Sequence, residues 1–520
     1  MKKYLLILLS MLFVFGLAAS AFAIQADIPA DTTAAVAAGG TQITLSGEIR
    51  VRYDYQHAAA SFGNFVNNQP DRSYADERVR LGVDAKVTPN TEGMIQLDDW
   101  SGSTSATSTQ DAILAGTGGL TTTTTTPGSG ATGTFRAGNE MKGIITVRQA
   151  WILNTGTGLL GIPAGIKVGH MPLLLGSGLF FDHSYYGDDA LVLFMQPVKE
   201  LELDAVAIKF VEGTLAVSAT EGLSSQANAY ALIANYKPSK ETGISLDITY
   251  VDGQNSEANL TTDAGGNVGL LPDTHLWNFG LRGNTAVEGF SLKIDGELQT
   301  GEVSNNAVGI KNVWTAGSNV DFTGYALQAG VGYTLDPVKL DLEFGYGSGD
   351  NGSKLNKINT FITSQGVEST FGDPYRSKGI SGPYVYNYRT VNATGNQFGG
   401  LANTWYLRLG GNADLSKDLN LDMAIFYLQA VDAINPNNAA IYNTLGSGVF
   451  STSATTGANK DIGAELDARL TYKIDKGLQT WIEGGYLWAG DFWKAMAAVV
   501  ATGNKPADVY TIREGIQLNF

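Results

Sequence analysis

The stretch TQITLSGEIRVRYDY, residues 41–55, sets Ile43, Leu45, Ile49, Val51, Tyr53 and Tyr55 on one side of an extended chain. Thr44, Ser46, Glu48, Arg50, Arg52 and Asp54 fall on the other. Side chains of a strand alternate with a period of two, so this strand has one apolar and one charged face. It is also long, since a soluble strand usually runs about five or six residues. A strand tilted by about 40° needs roughly ten residues to cross an apolar band about 25 Å tall. ERVRLGVDAKV (77–87), FSLKIDGELQ (290–299), VKLDLEFGY (338–346) and IGAELDARLTYK (462–473) repeat the pattern.

The arginines decide which face meets lipid. An arginine facing lipid near the midplane costs about 2–4 kcal/mol. Arg50, Arg52, Arg78, Arg80 and Arg148 share the polar faces of the early strands. Five such penalties would match the stability of a whole domain, so these residues are assigned to the lumen. Arg282, Arg408 and Arg469 join them as expected basic pore-lining residues. A β-sandwich has shorter strands and a β-helix a short fixed repeat, and neither pattern is present. The fold class is therefore all-β, a transmembrane antiparallel β-barrel.

Composition agrees. The chain has no cysteine, 64 glycines and only 16% charged residues, against roughly 25% in soluble domains. Without cysteine, neither disulfides nor thiolate metal sites are available. The net charge of −16 argues against a nucleic-acid partner. Residues 1–23, MKKYLLILLSMLFVFGLAASAFA, have two lysines, an apolar core and an A-x-A ending, as expected of a signal peptide cleaved after Ala23. Residues 24–40 are expected to be a flexible periplasmic lead, and 41–520 the barrel.

Outer-membrane barrels alternate short periplasmic turns with long outer loops. Eight short turns are expected at 88–91, 156–163, 211–213, 237–243, 285–289, 335–339, 415–418 and 474–477. Longer connections between them give about 18 strands, with 16 or 20 as alternatives. In this scheme 173–197, LLLGSGLFFDHSYYGDDALVLFMQP, is one long connection. Its Phe180, Phe181, Phe194 and Met195 call for burial. It is expected to fold inward as a constriction, presenting Asp182, Asp188 and Asp189 to the basic wall.

The chain closes on TIREGIQLNF (511–520). Tyr510, Ile512, Ile516, Leu518 and Phe520 share one face, and the terminal phenylalanine resembles the C-terminal signal that assembly machinery reads in bacterial outer-membrane proteins. Strict alternation sends Glu514 to the lipid side unless a bulge near Arg513–Gly515 turns it inward.

The stretch KDIGAELDARLTYKIDKGLQTWIEGGYLWAGDFW (460–493) is similar to the closing strands of the alginate-export family of outer-membrane porins. Gly463, Glu465, Leu466 and Asp467 match its "G-x-ELD" strand, and Ala489, Gly490, Asp491 and Phe492 its "AGDF" element. LSGEIRVRYDY, RVRLGVDAKV and IKVGHMP resemble the family's opening strands. The resemblance implies an outer-membrane channel, with an anionic polysaccharide as a candidate cargo. The inward positions depart from the basic lumen a polyanion requires, because acids such as Asp247, Asp295, Glu297, Asp341, Glu343 and Asp422 are as numerous as bases.

The leading expectation is a porin passing small hydrophilic solutes or ions across the outer membrane of a Gram-negative bacterium. The alternatives are a structural or adhesive barrel and an export channel for an anionic polysaccharide. An outer-membrane hydrolase needs a Ser–His pair held by a third group, and His183–Ser184 is the only adjacent candidate. No catalytic residue, metal or cofactor is expected. The expected partners are outer-membrane lipid and lipopolysaccharide, the assembly machinery and the solutes. Lipid-facing aromatics spread over many strands favour a monomer over a trimer.

Overall fold

The structure, a computed structural model, describes residues 40–57, 71–98, 145–158, 161–211, 226–254, 274–303, 319–354, 356–365, 382–386, 401–434, 459–495 and 505–520. Eighteen long strands build the wall. They are β1 (Gln42–His57), β2 (Arg72–Thr88), β3 (Thr91–Asp98), β4 (Thr146–Thr157), β5 (Pro163–Leu174) and β6 (Phe181–Val198). Then come β7 (Leu201–Val211), β8 (Gln226–Tyr236), β9 (Gly243–Gln254), β10 (Thr274–Val287), β11 (Phe290–Val303) and β13 (Tyr325–Leu335). The last six are β14 (Val338–Gly347), β17 (Thr404–Asp414), β18 (Leu419–Ala430), β19 (Asp461–Asp475), β20 (Leu478–Ala489) and β21 (Val509–Asn519). Three short strands belong to the long connections: β12 (Val320–Phe322), β15 (Lys357–Ile358) and β16 (Ser364–Gln365). Successive wall strands pair antiparallel and β21 returns to β1, so the barrel is closed.

The wall is inverted relative to a soluble protein. Along β1, Arg52 and Asp54 are 7% and 0% exposed, whereas Val51 and Tyr53 are 40% and 46% exposed. β10 repeats this, with Asn278 and Arg282 buried and Trp277, Phe279 and Leu281 exposed. Charge lies inside and apolar surface outside, as hydrocarbon requires. Along the outer face Tyr325–Tyr346 and Tyr486–Tyr510 stack, and Tyr250 meets Trp277 at a tilt.

The strand number agrees with the sequence reading, but two assignments within it change. Residues 173–197 are not one connection. β6 starts at Phe181 and pairs with β5 and β7, with Ala190 buried and Leu193 and Met195 exposed. The short turn that follows lies at 199–200, between β6 and β7. The expected turn at 211–213 does not return the chain at once, because β7 runs to Val211 and the chain re-enters the wall at Gln226. One strand gained before this point and one lost after it leave the total unchanged. Residues 1–39 and the threonine run at 121–126 lie outside the described residues.

Closure is built at the β1–β21 seam. Gly47 N–H donates to the Phe520 carbonyl at 2.8 Å, and Phe520 N–H donates to the Gly47 carbonyl at 3.0 Å. The Phe520 ring covers Gly47 so closely that a Cβ there would come within 2.2 Å of it. Register along β21 is continuous against both neighbours, so no bulge forms and Glu514 stays on the outer face, opposite Tyr53 and Ile482. Replacing Gly47 with Val should displace the Phe520 ring and weaken the seam. The expected readout is a lower temperature for loss of the fast-migrating folded band in heated detergent gels. A Gly47→Val barrel as heat-resistant as wild type would show that the ring does not hold the seam.

Candidate functional site

The lumen carries its charge in two arcs. The basic arc follows β1, β2 and β4 on to β21. Arg50 and Arg52 are buried there, and Arg78 Nε donates to Glu48 Oε1 at 2.5 Å. Arg80 Nε donates to Asp98 Oδ2 at 2.7 Å. Arg148 Nη1 donates to Gln96 Oε1 at 2.6 Å, and its Nη2 to the Ser184 carbonyl at 3.0 Å. Arg513, which the sequence reading placed on the inward face but did not single out, sits on the seam. Its Nε donates to Asp54 Oδ2 on β1 at 3.0 Å and its Nη1 to Glu483 Oε1 on β20 at 3.3 Å. This buried triad ties three strands together from inside.

From β9 round to β20, acids outweigh bases. Arg282 on β10 is held by Asp247, Asp295 and Glu297 together. Arg408 on β17 pairs with Asp341 on β14. Arg469 on β19 lies 3.5 Å from Glu483 and its guanidinium stands over the Trp481 ring. Lys293 on β11 reaches past β13 to Glu343 on β14. Gly330 makes that reach possible, since a Cβ there would come 2.8 Å from the Lys293 side chain. A single arginine among three carboxylates leaves a local excess of negative charge, and low-dielectric walls focus such a field.

Below these groups, at the short-turn mouth, lies a cavity of about 710 Å³ bounded by Lys293, Asp341, Glu343, Arg408 and Asn412. Gly330 and Gly332 face it from β13 and keep that wall low.

Two chain segments enter the lumen from the long-loop end. The first is 175–180, the connection from β5 to β6. Ser177 Oγ donates to Asp295 on β11, and Gly176 abuts the Arg282 guanidinium. Leu175, Leu179 and Phe180 are buried in one apolar cluster with inward-facing Val206, Ile208, Ala229, Ala231 and Leu276. The apolar character noticed in the sequence is thus matched by an apolar sector of the inner wall on β7–β10. The second segment comes from the β14–β17 connection, whose β16 pairs in parallel with the first residues of β6.

The three aspartates expected on an inward loop part company. Asp182 is buried and accepts from Ser184 N–H at 3.1 Å. Asp188 stands 2.8 Å from His183 Nδ1, on the inner face. Asp189 points outward, 2.9 Å from His170, because strand alternation separates it from Asp188. The pair expected for a hydrolase, His183 and Ser184, engages Asp188 and Asp182 separately. In GSGDNGS (347–353), Asp350 accepts from Gly352 N–H at 2.7 Å and Asn359 N–H at 2.9 Å, which closes a turn. Burial raises the Asp350 carboxyl above its ordinary range, opposed by those two hydrogen bonds.

The sequence matches the alginate export family over residues 41–504. The chain belongs to this family. Among solved structures it is similar to OccK8 (OprE) of Pseudomonas aeruginosa, at 11% identity and a TM-score of 0.48, covering 92% of this chain and 98% of that one. The outer membrane protein OprD of the same organism gives 12% identity and a TM-score of 0.47, covering 92% and 93%. Pseudomonas aeruginosa OpdK with vanillate gives 12% and 0.44, covering 92% and 98%. No curated protein matches.

Proposed function

We propose that the barrel is an outer-membrane porin through which small hydrophilic solutes and ions diffuse. The observation that carries this reading is the inverted wall enclosing two opposed arcs of charge. Such an interior is polar and hydrated, and a field across it orients dipolar solutes while admitting small ions of either sign. Eighteen strands about 4.8 Å apart and tilted about 40° enclose a backbone cylinder roughly 36 Å wide. A cylinder that wide must be narrowed from within, and segment 175–180 is the proposed constriction.

The family's name favours one other reading, export of an anionic polysaccharide. A polyanion sliding through must pass the acids on β9–β20, and desolvated like charges repel strongly. The acidic arc therefore supports small solutes over a polyanionic chain.

Two measurements in planar bilayers test the proposal. Replacing Arg52, Arg80 and Arg148 with alanine should shift the reversal potential in a salt gradient towards cations. Asp341→Asn with Glu343→Gln should shift it towards anions. If neither variant moves it, the arcs do not steer ions and the arginines are scaffold. Replacing 175–180 with a two-residue turn should raise single-channel conductance severalfold. An unchanged conductance in a barrel that still shows the heat shift would remove this segment as the constriction.

A further inference from the structure

Glu465 and Asp467, the acids of the "G-x-ELD" strand, are both 0% exposed and face inward from β19. Buried carboxylates are costly unless hydrogen-bonded. Their partners are not chiefly cations but the peptide backbone of one lumenal segment, Gly382-Pro383-Tyr384-Val385-Tyr386, which lies between β16 and β17. Tyr384 N–H donates to Asp467 Oδ2 at 3.0 Å. Val385 N–H donates to Glu465 Oε1 at 2.6 Å and Tyr386 N–H to Glu465 Oε2 at 2.9 Å. Three successive peptide N–H groups thus end on two wall carboxylates.

The segment's side chains fit the same place. Tyr386 Oη and Thr404 Oγ1 are 2.6 Å apart, and the Tyr386 ring meets Trp493 edge-on. The Arg513 guanidinium lies over the Tyr384 ring. Gly485, facing inward on β20, leaves room for Val385, since a Cβ there would come 2.7 Å from Val385 Cγ2 and 2.2 Å from Asp467 Oδ1. All five residues of the segment are buried.

The geometry points to a latch: Glu465 and Asp467 position segment 382–386 against β19 and β20, and so set the free cross-section of the lumen. They are positioning residues rather than ion-selecting ones. Both carboxyl groups are withdrawn from solvent and covered by the segment, so a passing ion meets the segment and not the acids. This rests on the channel reading above, but the latch has a readout that does not depend on conduction.

Two variants loosen it in different ways. Glu465→Gln with Asp467→Asn replaces acceptor oxygens by amide groups and weakens the hydrogen bonds. Gly485→Ala leaves both acids in place and fills the space of Val385. In barrels that retain the heat shift, both should raise conductance severalfold, and Gly485→Ala should leave the reversal potential where it was. An unchanged conductance in either variant, or a change in selectivity alone, would overturn the latch. The chain has no cysteine, so Val385→Cys provides a second readout. A water-soluble thiol reagent should leave it unlabelled in the otherwise native barrel and label it in both variant backgrounds. Equal labelling in all three backgrounds would also overturn the latch. If the native barrel passes no current while labelling follows the expected order, the latch stands and the channel reading fails.

Discussion

Within hydrocarbon no water is present to satisfy a peptide group, so every N–H and C=O of a spanning strand must be paired with another strand. An open sheet leaves two edges, and only closure removes them. The whole architecture depends on the seam where β21 meets β1. That seam is secured on both faces. Outside, the Phe520 ring lies over Gly47, and the two residues exchange backbone hydrogen bonds. Inside, Arg513 joins Asp54 and Glu483 across three strands. The residue just past the end of β21 and a charge buried in the strand's middle act on the same joint.

Closure also dictates the interior. Once the outer face must be apolar, the polar face of each strand is turned into the lumen, where charges are crowded and partly dehydrated. Among the described residues, Arg78, Arg80, Arg408, Arg469 and Arg513 each pair with an acid, and Arg282 is held by Asp247, Asp295 and Glu297. Breaking such a buried pairing by removing one partner typically costs about 3–5 kcal/mol. The same groups that hold the wall together therefore create the field a solute would cross. The two lumenal segments follow the same economy of pairing: one is held by apolar contact to β7–β10, the other by peptide groups on Glu465 and Asp467.

The wall was legible in the sequence because lipid imposes a period of two on each strand, and the placement of Arg50, Arg52 and Arg78 follows from that rule alone. Register beyond one strand was not. Residues 189–197 have the look of a strand, but counted with a short turn at 211–213 such a strand puts every later short turn on the wrong side, and the turn pattern therefore makes 173–197 one connection. Inward-facing Ala229 and Ala231 on β8, which belong to the same buried apolar cluster as Phe180, are small and carry no signal in the sequence. Asp189 was misplaced for the same reason, since treating its segment as a loop discarded the alternation that separates it from Asp188. The role of Glu465 and Asp467 was hidden differently. Alternation turned them inward, but their partners are backbone N–H groups some eighty residues earlier, and a peptide N–H has no letter in a sequence.

The central claim is that alternate residues of one strand face water and lipid. Positions 292, 293 and 294 on β11 test it directly, because Lys293 shares the inner face with buried Asp295 and Glu297 while Leu292 and Ile294 are exposed on the outer wall. With no native cysteine to interfere, each can be made cysteine in turn and treated with a negatively charged, membrane-impermeant thiol reagent during a bilayer recording. The account predicts that modification at 293 changes the current while 292 and 294 stay silent. A current change at 292 or 294, or an inert 293, would contradict it.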